Sequence, residues 1–183
     1  MADNDRYFRP GVLLFPLRKY ASGIQMRFIT SFIRAGMSVL DLGSGPGFFT
    51  RAISRAVGPE GIVYSVDADI RAIKKLTERL SRMHIDNVKP HTSSAASIPF
   101  VPDGSIDALF SNGLLCCMRD HNDAVNEMVR CMKPGSLGFI GINRFGRDRL
   151  SLTKAQFYEL LNPFLITEAG STLTTNWAIV QKP

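Results

Sequence analysis

Three closely spaced glycines and two aspartates are the residues of this chain best suited to hold a nucleotide-like ligand. Gly43, Gly45 and Gly47 follow an apolar run typical of a strand and precede apolar residues at helical spacing. A strand, a glycine turn and a helix form the first half of a nucleotide-binding βαβ unit, in which the ligand lies against bare backbone. Asp41 comes just before the turn. Asp67 follows it by roughly 20 positions, the spacing at which such folds place a ribose-binding carboxylate.

Asp67 has two possible roles at the end of its predicted strand. A carboxylate can accept charge-assisted hydrogen bonds from both ribose hydroxyls, and an aspartate at a strand end can also cap the following helix. Because Asp67 occurs together with Asp41 and the three glycines at the expected distance, we favour the ribose-binding role.

The glycine pattern differs from the nicotinamide fingerprint and has a closer match in another family. The fingerprint G-x-G-x-x-G/A needs a small third residue so that helix and strand pack closely, and here Phe48 stands at that position. Asp41 would repel a pyrophosphate but can hold a ligand ammonium group. The run D-L-G-S-G-P-G over residues 41–47 resembles motif I of the class I S-adenosylmethionine-dependent methyltransferases.

The resemblance extends to two further segments. Residues 93–100, S-S-A-A-S-I-P-F, are similar to the family's G-D-A-x-x-L-P-F, with Ser94 in place of the aspartate that binds the adenine amino group. A serine accepts a hydrogen bond there without bringing a charge. Residues 127–135 resemble the family's E-x-x-R-x-L-K-P-G-G run. Within the family the chain most resembles the type 11 branch, which is ubiquinone/menaquinone-biosynthesis-like.

The resemblance implies S-adenosylmethionine as cofactor and a set of residues around it. Asp41 would hold the methionine ammonium, Asp67 the ribose, and Ser111 would lie near the sulfonium. The implied cofactor-binding residues are Asp41, Gly43, Ser44, Gly45, Asp67, Ala68, Ser94, Ala95 and Ser111. No catalytic base is assigned. His121 follows the fourth predicted strand and is a candidate general base, with a surface or capping role as the alternative.

The elements that must position these residues alternate between strand and helix patterns. With the resemblance, this alternation predicts an α/β fold: a doubly wound three-layer sandwich whose seven-stranded, mostly parallel sheet has an antiparallel last strand. We expect one methyltransferase domain over 1–183, with an N-terminal arm and helix in 1–36 and the cofactor-binding core in 37–183. Strands are predicted at residues 39–42, 62–66, 88–92, 105–111, 137–142, 164–168 and 177–181, and helices at 22–35, 48–57, 69–82, from 120 or 122, and at 153–161.

Two local expectations concern packing and chain direction. Ile70 is placed on the inward face of helix 69–82, together with other apolar residues at helical spacing. Lys133, Pro134 and Gly135 are expected to stop the preceding helix and turn the chain before the strand at 137–142.

Length and composition are those of an ordinary globular domain. The chain has 183 residues, of which 45% are hydrophobic; no apolar run approaches the roughly 20 residues of a membrane span, and residues 1–10 lack a secretory signal core. Three cysteines do not form a disulfide framework. Cys116 and Cys117 lack zinc-site spacing, so we expect no metal and interpret them as buried small hydrophobes. We expect a reduced, cytoplasmic protein.

A small-molecule acceptor is the leading hypothesis for the substrate. The long insert that usually covers a small substrate after the family's fifth strand is missing, so an RNA or protein methyltransferase is the alternative, and a cofactor-binding module without turnover is another. The net charge of +6, the basic helix 71–82 and the arginine loop 144–149 suit an anionic partner. Residues 1–21 are either a lid over the cofactor or a loose arm, and the sequence predicts no oligomeric state.

Overall fold

The structure, a computed structural model, describes residues 23–144 and 152–183. The possible lid in residues 1–21 and two arginines of the basic loop, Arg147 and Arg149, lie outside the described residues. The helices are α1 (Gly23–Phe32), α2 (Thr50–Val57), α3 (Ile70–Arg82), α4 (His121–Cys131) and α5 (Lys154–Leu160). The strands are β1 (Ser38–Leu42), β2 (Ile62–Asp67), β3 (Val88–Thr92), β4 (Ile106–Asn112), β5 (Met132–Asn143), β6 (Leu165–Ser171) and β7 (Thr175–Gln181), and a 3-10 turn spans Leu115–Cys117.

All seven strands form one sheet in the order β3-β2-β1-β4-β5-β7-β6. Strands β1 to β5 pair in parallel, whereas β7 lies antiparallel between β5 and β6. The predicted fold class is therefore confirmed. None of the helices in the described ranges is long and apolar enough to cross a membrane.

Helices cover both faces of the sheet, and each face has its own apolar core. On one face α1, α2 and α3 bury side chains against the strands, including Phe28, Ile53 and Leu76. On the other face α4 and α5 bury theirs, including Met128 and Phe157. The parallel strands between the two layers are accordingly apolar on both sides, as expected for a doubly wound sheet.

The helix starts follow from capping chemistry. Asp69 caps α3 by accepting a hydrogen bond from the backbone N–H of Arg71 at 2.9 Å. Thr153 and Gln156 form the predicted capping box at the start of α5, where the Thr153 hydroxyl accepts from the Gln156 N–H at 3.2 Å.

Two local expectations were wrong. Ile70 is 52% exposed; at 100° per residue it lies about 60° outside the arc formed by the buried residues of α3. Lys133, Pro134 and Gly135 do not turn the chain, because they belong to β5. The helix does end before them. Two positions separate Ile106 from Ala108 on β4 but five positions separate their partners Met132 and Leu137 on β5, so the strand pairing shifts register within this segment.

A buried carboxyl group joins β1 to α2. Asp41 is only 2% exposed, and the hydroxyl of Thr50, the first residue of α2, donates to its Oδ2 at 2.6 Å. Burial raises the pKa of Asp41 from its usual 3.8 to about 7; the Thr50 bond lowers it in part, and the charge of Asp67 raises it further. At neutral pH this group is therefore close to half protonated in the folded protein.

This burial predicts a pH-dependent effect of Asp41→Asn. The folded pKa is above the unfolded one, so the folded chain binds the extra proton, and the free energy of unfolding of the wild type falls as pH rises from about 4 to 7. Asn cannot ionise and escapes that loss. The free energy of unfolding of Asp41→Asn minus that of the wild type should therefore rise by a few kcal/mol between pH 4 and pH 8, at about 1.4 kcal/mol per pKa unit. Urea unfolding at several pH values measures this, and a pH-independent difference would contradict it.

Candidate functional site

The carboxylate of Asp67 closes the glycine turn onto the end of β2. The backbone N–H of Gly45 donates to Asp67 Oδ2 at 2.8 Å, and the N–H of Asp69 donates to Oδ1 at 2.8 Å. The N–H groups of Gly43 and Ser44 both donate to the Val66 carbonyl, at 2.8 and 3.0 Å. The two sequence segments that were expected to bind the cofactor are thus bonded to each other. A carboxylate has about four acceptor sites, so Asp67 can accept from a ribose as well as from the backbone.

The three glycines of the turn are needed for different reasons. All have positive φ angles, which favour glycine. A Cβ on Gly43 would lie 2.8 Å from the Cβ of Leu114, and one on Gly47 would lie 2.4 Å from Leu76 Cδ1. At Gly45 no described residue other than its chain neighbours lies within 4 Å of that position. The backbone of Gly45 therefore borders open space at this edge of the sheet.

The remaining predicted residues near the turn differ in exposure. Asp41 is buried beneath the turn, so its contact with a ligand ammonium stays a prediction. The hydroxyl of Ser44 is buried and has no hydrogen-bond partner among the described residues. Ala68 is partly buried and directly follows Asp67. A guanidinium braces the turn from α3, since Arg79 Nη1 donates to the Pro46 carbonyl at 2.8 Å.

The third loop is held close to Asp67. The N–H of Ser93 donates to the Asp67 carbonyl at 3.1 Å, which brings Ser94 and Ala95 beside the end of β2. The Ser94 hydroxyl accepts from the Ala96 N–H at 3.3 Å. Ala95 is 5% exposed.

The E-x-x-R run of α4 fixes the far end of this loop. Glu127 accepts from the Ile98 N–H at 2.7 Å and from Arg130 Nε at 2.7 Å. Arg130 also donates to the carbonyls of Ile98 and Val101 and to Asp103. The guanidinium of Arg130 lowers the pKa of Glu127 and keeps that carboxyl charged. The family run therefore has a structural role here, which is to attach the third loop to α4.

A buried amide from α1 reaches the end of β4, and the sequence analysis missed it. Gln25 is 3% exposed, and its Nε2 donates to Asn112 Oδ1 at 3.2 Å. Its Oε1 is buried without a hydrogen-bond partner among the described residues, as is the hydroxyl of Ser111. The available signal was a glutamine on the apolar face of a helix, between Ile24 and Phe28.

A cavity of about 500 Å³ lies between the start of α4 and α5. His121 contributes to its wall, and the Nε2 of this side chain is buried with no hydrogen-bond partner among the described residues. The cavity is lined by Arg119, Asp120, His121, Asn122, Asp123, Leu152, Gln156, Glu159 and Leu160.

Two other expectations concern the cysteines and the basic loop. Cys116 is partly buried and packs against the apolar core on the side of α4 and α5, whereas Cys117 is partly exposed, so their interpretation as buried small hydrophobes holds only in part. Within residues 23–144 and 152–183 no group of three or more His, Cys, Asp or Glu could hold a metal ion. Arg144, the described member of the arginine loop, donates from Nη1 to the Thr172 carbonyl at 2.7 Å and so contacts the β6–β7 turn.

Comparison with known proteins places this arrangement in a family. A family model described as a methyltransferase domain matches residues 33–151. The chain is 39% identical over 108 residues to a ubiquinone/menaquinone biosynthesis C-methyltransferase of Hahella chejuensis, covering 57% of this chain and 42% of the relative. It is 31% identical over 147 residues to the enzyme of that name from Idiomarina loihiensis, covering 80% and 57%. The chain thus spans about half the length of these curated relatives.

Solved structures give the same result for the fold. A SAM-dependent methyltransferase from Aquifex aeolicus superposes with a TM-score of 0.76 at 20% identity, covering 97% of this chain and 100% of the other. The family model covers more than half of the chain and confirms the resemblance seen in the sequence, so the chain belongs to the class I S-adenosylmethionine-dependent methyltransferase family.

Proposed function

We propose that this protein transfers a methyl group from S-adenosylmethionine to a small hydroquinone-like acceptor. The observation that carries the proposal is the closure of the glycine turn by Asp67, which sets bare backbone and a carboxylate side by side at the carboxyl end of the sheet. Ligands of open α/β sheets bind at that end. The curated relatives, named as C-methyltransferases of quinone biosynthesis, suggest the acceptor class.

The residues around the turn suit the ribose and the adenine of the cofactor. Asp67 would bind the ribose hydroxyls while its backbone bonds fix the direction of its carboxylate. Ser94 and Ala95, held next to Asp67 by the Ser93 N–H, would border the adenine. The buried hydroxyl of Ser44 lacks a partner among the described residues, and a buried polar group in that state favours a ligand that can supply one.

The cofactor's sulfonium supplies the methyl group, so the protein must mainly position the acceptor for in-line attack. The cavity between α4 and α5 is suited to hold it. Its volume of about 500 Å³ is in the range of small-molecule sites. His121 and Gln156 offer polar atoms that can fix a hydroxylated ring, and Leu152 and Leu160 offer apolar surface.

His121 would act as the base in this arrangement. Removing the proton from a ring hydroxyl raises the electron density of the neighbouring carbon, which makes that carbon a better nucleophile. A neutral imidazole accepts a proton at one nitrogen, and His121 lines the cavity.

Replacing Asp67 tests the cofactor site. Asp67→Ala should weaken binding of S-adenosylhomocysteine by about 1.5–3 kcal/mol, the range for a hydrogen bond to a charged group. Isothermal titration measures the affinity, and Asp86→Ala, which changes an exposed carboxylate elsewhere, is the matched control. Circular dichroism must show that the variant remains folded. Equal affinity of a folded Asp67→Ala would refute the ribose-binding role.

Ser94 tests the position of the adenine. Ser94→Asp restores a charged acceptor at the place where the family carries an aspartate, so affinity for S-adenosylhomocysteine should stay the same or improve. The same titration measures it, with Ser97→Asp, on the exposed side of the loop, as control. A tenfold loss confined to Ser94→Asp would show that the third loop is aligned incorrectly with the family pattern.

His121 tests the acceptor cavity. In a methyl-transfer assay with labelled cofactor and short-chain benzo- and naphthohydroquinones, His121→Ala should lower the turnover rate roughly 100-fold, as expected for loss of a general base. Its affinity for S-adenosylhomocysteine should remain unchanged. His84→Asn, at an exposed residue with positive φ, is the control. If the wild type transfers methyl groups and His121→Ala retains its full rate, the assignment is incorrect; no transfer by the wild type to any hydroquinone would contradict the acceptor class.

A further inference from the structure

Two neighbouring thiols lie in the 3-10 turn that follows β4. The Sγ atoms of Cys116 and Cys117 are 3.8 Å apart, within range of an S–H···S hydrogen bond. Both side chains are partly exposed, whereas the third cysteine, Cys131, is fully buried. A small reagent can therefore reach Cys116 and Cys117 more readily than Cys131.

The surroundings of Cys116 favour its thiolate. Hydrogen bonds from Cys117 and Asn143 outweigh the effect of burial and lower the pKa of Cys116 to about 7. Burial instead raises the pKa of Cys131 to about 11. Since the thiolate is the nucleophilic form, Cys116 should react at neutral pH and Cys131 should not.

We propose that Cys116 and Cys117 form a redox modification site, which closes reversibly to a disulfide between adjacent residues on reaction with a small disulfide such as oxidised glutathione. The Cys116 thiolate attacks one glutathione sulfur, the glutathione S–S bond breaks, and one glutathione thiolate leaves. Cys117 loses its proton to solvent and attacks Cys116 Sγ, which releases the second glutathione. The two cysteines lose two electrons and two protons in all, and one glutathione disulfide becomes two thiols.

The geometry makes such a disulfide labile. Consecutive Cα atoms are about 3.8 Å apart across a trans peptide, whereas ordinary disulfides join Cα atoms about 4.4–6.8 Å apart. The ring that closes over a single peptide bond is therefore strained, and strained disulfides are the readily reduced, regulatory class. Reduced glutathione would reverse the modification that oxidised glutathione forms.

The turn that carries the thiols also contacts the glycine turn. Cys117 N–H donates to the Leu114 carbonyl at 2.8 Å. The Leu114 side chain packs so closely against Gly43 that a Cβ on Gly43 would not fit. Forming the strained ring must distort the peptide between the two cysteines, which breaks that hydrogen bond and shifts Leu114. If the glycine turn binds the cofactor, as proposed above, oxidation should weaken cofactor binding.

Mass spectrometry of the full chain in glutathione redox buffers at neutral pH tests the modification. The wild type should lose two hydrogen atoms without keeping a glutathione adduct, and peptide mapping should place the bond between residues 116 and 117. Cys117→Ser should accumulate a glutathione adduct on Cys116, and Cys116→Ser should react at least about tenfold more slowly. Cys131→Ser should behave as wild type. A stable adduct on the wild type, a bond to Cys131, a disulfide between two chains or no reaction would each overturn the proposal, and the wild-type result does not depend on any variant folding.

A second measurement tests the link to the glycine turn. S-adenosylhomocysteine should bind the oxidised wild type several-fold more weakly than the reduced one, and dithiothreitol should restore the affinity. Equal affinities with the disulfide formed would refute the effect through Leu114. Failure of both forms to bind would refute the proposed function, while the mass measurement still decides whether the thiols form the site.

Discussion

The site depends on one carboxylate that serves the backbone of two segments. Asp67 accepts the N–H of Gly45 on one oxygen and the N–H of Asp69 on the other, so the glycine turn, the end of β2 and the start of α3 are fixed to one another. Bonds from N–H groups to a charged acceptor are stronger than those between neutral groups. A Cβ placed on Gly45 would meet no described residue apart from its neighbours in the chain.

Next to that turn, burial makes ionisation of the Asp41 carboxyl group unfavourable. Asp41 is buried, it accepts a hydrogen bond from the Thr50 hydroxyl, and the negative charge of Asp67 adds to the cost of ionising it. The carboxyl group of Asp41, whose pKa is raised to about 7, connects β1 to α2 next to the proposed cofactor site. Folding stability and the charge of the site are therefore coupled through one residue, and a bound cation would stabilise the charged form of Asp41.

Much of this fold was predictable because strand and helix periods are strong signals in a doubly wound sheet. The limits of β3 were predicted without error and those of the other strands within three residues, except that β5 begins five residues before its predicted start. Predictions failed where tertiary contacts decide: Ile70 lies outside the buried arc of α3, and the Lys133–Gly135 segment continues into β5 as an irregular stretch. Sequence spacing predicted that Asp67 lies beside the glycine turn, but not that its carboxylate bonds to the backbone there. Gln25 was missed because its partner, Asn112, is distant in sequence.

The position of β7 has a consequence for how the chain acquires its structure. Strand β7 lies between β5 and β6, and β6 has no other neighbour among the described strands. During synthesis the ribosome therefore releases β5 with an open edge, and β6 follows with nothing to pair with, until residues 175–181 have emerged. Unpaired strand edges promote aggregation. Exposed apolar side chains on β6 and the following turn, such as Leu165 and Leu173, increase the tendency to aggregate before β7 pairs. The glycine turn is therefore synthesised early, whereas this sheet is complete only when β7 is available.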